Sequence, residues 1–440
     1  MKTSVPVHPA ADAAAPSPST GPLEGIVIVD LTRVLSGPYA TMLLGDLGAT
    51  IIKVESPGAG DTTRHSAPFR NGQSHYFLSI NRNKRSVAID LSTEAGRELV
   101  RRLCAAADVL IENFRPGTLE AMGLAPERLW ASNPALVVCS ISGFGQDGPL
   151  RDRIAYDVIT QAISGILSTN GEAGGAPVRL SIPIGDLTGG LLACIGIVSS
   201  LLGRSRGRGE RRVDVSLHDG LISQLGYLAT LYDVTGRAPE RLGSRHPSIV
   251  PYGTYRTRDG FLALAIFTSR FWRKFCDAIG RPEVAEEPRF RRTSDRMANR
   301  VELESLVENV LRERTTAEWE ETFSRADVPA SAILGVPEAV EQAHTRARGM
   351  FPTLTHPAYG SIRVPGPPLR LGGEAVANPL APPMLGEHTD EVLRDMLGLD
   401  DDELATLRAR RVIGGEATVP GDSGSAGAAR PAIPAGGVGA

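Results

Sequence analysis

The chain has 440 residues, of which 42% are apolar and 22% charged, with a net charge of −3. This length supports two or three domains around a large core. The weakly acidic balance excludes nucleic acid as an expected main partner.

No two of the four cysteines, Cys104, Cys139, Cys194 and Cys276, are close enough for a CxxC motif. They read as small core residues in a reducing, cytoplasmic setting, with no metal site expected. The longest apolar run, Leu191 to Leu202, is about twelve residues and too short to span a bilayer. No membrane partner is expected.

Residues 1–20, rich in Ala, Pro and Ser, read as a disordered tail. Ile26–Val29 is a short apolar strand, and Ser36-Gly-Pro38 opens a helix that stops near Gly48. Thr50–Val54, Val87–Ile89, Val109–Ile111 and Leu136–Cys139 are further strands. Glu94–Ala106 has helical spacing at Leu99, Val100 and Leu103. Uniformly apolar strands between helices predict a parallel sheet covered on both faces, with ligands at the strands' carboxyl ends.

Helices are expected over Asp157–Leu167 and Asp186–Leu202, then a strand over Arg212–Leu217 and a helix to about Tyr232. Tyr252–Arg256, Asp259-Gly260 and Phe261–Ala265 spell a hairpin. Helices over Phe271–Ile279 and Val301–Ala326 follow. A Pro-rich strand region surrounds Val364–Pro368, and short helices cover Glu391–Leu397 and Asp402–Arg410. The expected class is α/β. A Rossmann-like large domain over 21–236 is followed by a smaller α+β domain over 237–340. A return to the first domain over 341–413 precedes a second tail over 414–440.

Asp186 is the leading candidate for chemistry. It stands in Ser181-Ile-Pro-Ile-Gly-Asp-Leu-Thr-Gly-Gly190, where a strand-like piece turns into an apolar helix. Two readings fit. Asp is a favoured helix cap. Alternatively, the exposed N–H groups of the helix hold an ionised carboxylate, and Gly185, Gly189 and Gly190 leave room for a large ligand. A charged, accessible carboxylate suits nucleophilic catalysis.

Gly143-Phe-Gly-Gln-Asp-Gly148 matches GxGxxG after a strand, but Pro149 and Arg151-Asp-Arg153 follow instead of a helix. The dinucleotide context is therefore missing, and a glycine loop near the active site is the better reading. Arg204, Arg206, Arg208, Arg211 and Arg212 read as a solvated turn more readily than as a phosphate grip. Asn113, Phe114 and Arg115, at a strand's carboxyl end, could bond to, stack on and pair with a nucleotide, or simply form a turn.

Together these motifs resemble the family III CoA-transferases, which include formyl-CoA transferase and carnitine CoA-transferase. The markers run in order: Pro22-Leu-Glu-Gly25, Asp30-Leu-Thr-Arg-Val34, Ser36-Gly-Pro-Tyr-Ala40, Leu47–Glu55, Gly60-Asp-Thr-Thr-Arg64 and Asn81–Ser86. Glu112–Gly117, Ser142–Pro149, Tyr156–Ala162, Gly185–Gly189 and Leu385-Gly-Glu-His-Thr389 follow. Gly243–Tyr252 looks like the branch acting on succinate and other small dicarboxylates.

The resemblance implies that Asp186 attacks an acyl-CoA, forming a mixed anhydride and then an aspartyl-CoA thioester. It places CoA against Leu35 and Ser36, the stretch from Ile89 to Ser92, Asn113, Phe114 and Arg115, and the stretch from Ile154 through Tyr156 to Asp157. Acyl-CoA and a small carboxylic acid are the implied substrates, and no cofactor is permanently bound. The implied assembly is a homodimer of interlocked rings. Arg245, His246 and Arg270 are candidates for pairing with a dicarboxylate, with a surface helix cap as the alternative for Arg270.

Three departures stand out. Some members carry an Arg where this chain has Ser56 and another Arg where it has Ala121. Ile266–Phe271, in place of a glycine-rich loop, argues against a formyl- or oxalyl-sized acid. Racemases of the same fold carry His before the Asp157 position. This chain has Tyr156, a poor base near neutral pH. A 2-methylacyl-CoA racemase is therefore the second reading and a non-catalytic acyl-CoA-binding protein the third.

Overall fold

A computed structural model describes residues 21–375 and 379–414. The expected N-terminal tail and residues 415–440 lie outside the described residues. Gly414 does not: its N–H donates to the Ala88 carbonyl.

Six parallel strands form the main sheet: β1 (Val27–Asp30), β2 (Thr50–Glu55), β3 (Lys84–Ala88), β4 (Val109–Glu112), β5 (Val137–Ser142) and β6 (Arg212–Ser216). Their order is β3-β2-β1-β4-β5-β6. Val29 pairs with both Ile52 and Leu110, so β1 and β4 flank the point where the strand order reverses. Crevices at such a point are preferred ligand sites.

Because side chains alternate along each strand, the sheet builds two cores. On one face Val29, Ile52, Leu110 and Val138 pack with Leu99, Val100 and Leu103 of a helix over Glu94–Ala105. Val392, Leu393 and Leu404, from the late helices Thr389–Leu397 and Asp401–Ala409, join that face. On the other, Ile28, Ile51, Val109, Val137 and Cys139 meet helices α1 (Ser36–Asp46) and α4 (Ile184–Ser205). Between those two in the chain lie α2, taken here as Glu94–Ala105, and α3 (Asp157–Ile163).

A three-stranded antiparallel sheet over Tyr252–Arg256, Phe261–Ala265 and Ala330–Ala332 carries a separate core. Trp272, Phe275, Phe290, Leu303, Trp319 and Phe323 fill it. The hairpin turns at Asp259-Gly260, as its sequence predicts.

Several elements differ from expectation. β3 begins at Lys84, because polar Lys84 and Ser86 are buried and paired. The helix expected over Asp157–Leu167 breaks at Gly165, whose φ is +90°. The one expected to run to Tyr232 breaks at Gly226, and the one over Val301–Ala326 breaks before a capping box at Thr315 and Glu318. Within the expected strand region Val364–Pro368 itself is not a strand; strands flank it, at Thr353–His356 and Gly360–Arg363 before it and at Arg370–Leu371 and Glu374–Ala375 after it. Prolines lack the N–H that a ladder needs.

Helix α4 is also longer than the apolar run suggests. Its 22 residues are apolar enough to cross a membrane by length and composition, which corrects the expectation that no segment reaches that length. One face, with Gly189, Gly190, Ala193, Ile197 and Leu201, is buried in the α/β core, and core helices pass the same length test.

Candidate active site

Asp186 lies in the first turn of α4 but does not cap it. That place is taken by Asp157, the first residue of α3, 29 positions earlier. Its carboxylate accepts the N–H of Gly185 at 2.7 Å and, less closely, that of Asp186 at 3.4 Å. Gln161 Nε2 donates to its other oxygen at 2.6 Å, and Gln161 Oε1 accepts from Leu180 N–H. Glycine at 185 permits this approach, since a Cβ there would sit 2.9 Å from Asp157 Oδ1.

The ionised, helix-stabilised Asp186 expected from the sequence is therefore corrected. Its carboxyl is half-buried and has no hydrogen bond or ion pair among the described residues. Burial, with the nearby Asp157 charge, pushes its pKa up to about 7. A carboxylate raised in this way is less solvated and more basic, and so a better nucleophile near neutrality. Tyr76, in the short helix His75–Ile80, lies within electrostatic reach of the same pair. Burial and the charges of Asp186, Asp61 and Asp157 push its phenol up to about 12, so it stays a protonated donor. Sequence reasoning missed Tyr76, which no local motif marks.

Gly189 and Gly190 serve a different purpose from the one expected. A Cβ at 189 would meet Leu217 and the Ser36 hydroxyl, and one at 190 would lie 2.7 Å from the Ser36 carbonyl oxygen. These glycines let α4 lie against α1; they do not admit ligand. Ser36 Oγ is buried at that contact with no hydrogen-bond partner among the described residues.

The turn from β1 to α1 is held from beneath by buried charges. Val34 adopts φ +68°, a left-handed conformation that is costly for a β-branched residue. Asp30 accepts from Thr32 N–H and from the Thr41 hydroxyl, with Lys84 at 3.4 Å. Lys53 donates to the Thr32 carbonyl and pairs with Asp61 at 3.0 Å. Asp61 also accepts Val34 N–H, and Glu55 joins Arg64 and Ser86 to the same network. The motifs Asp30–Val34, Lys53–Glu55, Gly60–Arg64 and Lys84–Ser86 thus form one scaffold. Burial pushes the Lys84 ammonium down to about 7 against the pull of Asp30.

The remaining candidates fall into three groups. Leu35 and Ile89 are buried side chains, so only their backbone can face a ligand. Both ends of the Asn113 amide are bonded to the backbone of Arg33, which bridges the β1 and β4 ends instead of leaving the amide open to a nucleotide. Phe114 carries the Arg33 guanidinium over its ring, Arg115 donates to the Asp152 carbonyl, and Ser92 is exposed. Ile154 and Tyr156 are exposed on the approach to Asp157.

The dicarboxylate candidates are not free. Arg245 pairs with Glu304 at 2.8 Å, and Arg270 lies on an exposed surface with Asp327 at 3.8 Å. His246 packs between Tyr227 and Tyr252, with Nδ1 accepting Ser248 N–H. No hydrogen bond or ion pair among the described residues joins the three to Asp186. Arg204 and Arg211 bond to Asp108 and to the Pro134 carbonyl, while Arg206 and Arg208 are exposed, as a surface turn predicts.

The six-stranded parallel sheet defines an α/β protein, and at the start of one of its helices stands a half-buried carboxyl with no hydrogen bond or ion pair among the described residues. Residues 23–389 match CoA-transferase family III, and the chain belongs to that family. It is 38% identical over 396 residues to the mouse succinyl-CoA:glutarate CoA-transferase, covering 90% of this chain and 91% of that protein. It is 39% identical over 359 residues to the acetyl-CoA:oxalate CoA-transferase of Acetobacter aceti, covering 81% and 91%. A CAIB/BAIF family protein from Brucella suis superposes with a TM-score of 0.77 at 36% identity, covering 86% of this chain and all of that one. The protein is an enzyme, a CoA-transferase acting on CoA thioesters.

Proposed function

We propose that the protein moves CoA from succinyl-CoA to a small dicarboxylic acid through an aspartyl-CoA thioester on Asp186. The observation that carries this reading is the Asp186 carboxyl itself, half-buried, without a hydrogen bond or ion pair among the described residues and raised to about 7. Its oxygen attacks the thioester carbonyl, the C–S bond breaks, and CoA thiolate leaves a mixed anhydride. The thiolate then attacks the Asp186 carbonyl and releases the donor acid. The acceptor carboxylate attacks the resulting thioester, again freeing thiolate, which takes the acceptor's acyl carbon and restores Asp186. Tyr76, a protonated donor near this carboxyl, is suited to the developing oxyanion.

The succinyl-CoA donor is supported by the mouse relative's name and by a 34% identical succinyl-CoA–D-citramalate CoA-transferase of Chloroflexus aurantiacus. A panel of C2 to C6 acids, oxalate included, offered with succinyl-CoA and read by mass spectrometry of the new thioester, tests the acceptor. Hydroxylamine trapping on Asp186, with ping-pong kinetics, tests the intermediate. Exchange of the α-carbon proton without transfer would instead favour the racemase reading.

The homodimer belongs to the same proposal. The outer face of α4 leaves Leu191, Leu192, Ile195, Val198 and Leu202 exposed, with Ile159, Ile163 and Ile222 also uncovered. A single chain rarely leaves that many large apolar side chains in water.

A further inference from the structure

The crevice at the strand-order reversal holds a cation that the transfer step leaves unused. At the carboxyl ends of β1, β2 and β3 lies a cavity of about 440 Å³. Val54, Leu91 and Met122 give it apolar walls, and Asp90 adds a carboxylate. Arg33 and Arg97 both line it, and they differ sharply.

Arg97 is fully engaged. Nε and Nη2 donate to Glu94, and Nη1 donates to the carbonyls of Leu91 and Ser92. Arg97 therefore braces the wall. Glu55, also in the lining, is closed by Arg64. Ser56 and Ala121 bring no charge to the cavity.

Arg33 has the opposite arrangement. Asn113 fixes its backbone on both sides, through Arg33 N–H to Oδ1 at 2.9 Å and Nδ2 to the Arg33 carbonyl at 2.8 Å. Its guanidinium lies 5.4 Å from the Phe114 ring centroid. No carboxylate or carbonyl among the described residues engages that guanidinium. A fixed backbone and an aromatic rest limit the freedom lost when the cation takes an anion. The Asp90 carboxylate disfavours a bare anion and suits a ligand that also offers hydroxyl or amino donors. Apolar walls, one carboxylate and one free guanidinium match a phosphorylated nucleoside.

We propose that Arg33, held against Phe114 at the carboxyl end of β1, grips the phosphates of the acyl-CoA nucleotide. This rests on the CoA-transferase reading and adds a binding residue to it. Arg33→Ala and the longer, neutral Arg33→Gln should weaken CoA binding, measured by calorimetry, roughly tenfold to a hundredfold, the scale of a lost charge-assisted pair. The KM for succinyl-CoA should rise with kcat nearly unchanged, and Arg33→Lys should recover part of the loss. Succinyl-pantetheine, which lacks the nucleotide, should show at least a tenfold smaller change. 3′-Dephospho-CoA then separates the 3′-phosphate from the diphosphate as the group held. Equal losses with both thioesters would assign Arg33 to the fold of the turn and overturn the proposal, as would unchanged CoA affinity in both variants. If the unaltered protein does not bind CoA, the transferase reading itself fails, and this inference with it.

Discussion

At the scale of single residues, the proposed mechanism puts the chemistry on the pair Asp157 and Asp186. In that mechanism Asp186 attacks as the ionised carboxylate, and burial beside Asp157 pushes its pKa up to about 7. The kcat/KM of the transferase should therefore fall about tenfold per pH unit below that value, measured with saturating acceptor. Asp157→Asn removes the charge while its amide oxygen still accepts from Gly185, so the acid limb of the profile should move to lower pH. An unmoved limb would mean that burial alone sets the pKa.

The same shift has a stability consequence with a definite sign. The ordinary Asp value is 3.8 and the folded value is about 7, so the folded state holds this proton more tightly. The favourable contribution is complete below about pH 4 and is lost as pH rises to 7. Asp186→Asn, inactive as a nucleophile, should therefore be more stable than the unaltered protein at pH 8, by on the order of 1–2 kcal/mol after allowing for partial exposure. Urea midpoints at pH 5 and pH 8 check this, with the larger difference expected at the higher pH.

At the scale of elements, the contact between α1 and α4 depends on the absence of side chains. Gly190→Ala gains helix propensity of about 1 kcal/mol. It also puts a Cβ 2.7 Å from the Ser36 carbonyl oxygen, a backbone atom that cannot swing aside. The net effect should be destabilising by roughly 1–3 kcal/mol. Since Ser36 sits at the start of α1 beside the site, activity should fall as well. A rise in Tm for Gly190→Ala would show that the two helices have slack.

The buried charges under the β1–α1 turn act as a unit. Lys53 is fully buried between Asp30 and Asp61, and its removal leaves Asp61 without its ion-pair partner and Asp30 with Lys84 alone. Lys53→Met should cost about 3–5 kcal/mol, the penalty of breaking a buried pair. Lys53→Met with Asp61→Leu should recover part of that in a double-mutant comparison. Additive losses would mean that the two residues do not share a network.

At the scale of the whole molecule, the exposed apolar face of α4 predicts association. Sizing at nanomolar concentration should give a dimer. A Leu192→Glu substitution on the exposed face should lower its yield or solubility. An active monomer at that dilution would remove the dimer from the proposal.

Much of this molecule was legible in the sequence, because the signals are local. Apolar strands at Ile26–Val29 and Val109–Ile111, the Asp-Gly hairpin turn and the helical spacing at Leu99, Val100 and Leu103 each depend on neighbours a few residues away. The ordered motifs also identified the family and singled out Asp186. What the sequence alone did not decide was the environment of that residue. Asp157, not Asp186, meets the open N–H groups of α4, and the two are 29 positions apart. Gly189 and Gly190 look like clearance for a ligand until α1 is packed on them. Nothing local to the Asn81–Ser86 motif marks Lys84 as buried, yet Asp30 and Asn81 close over it. Protonation, burial and hydrogen-bond pairing depend on which groups the fold brings within a few ångströms, and that is fixed by packing between distant segments, which local periodicity does not encode.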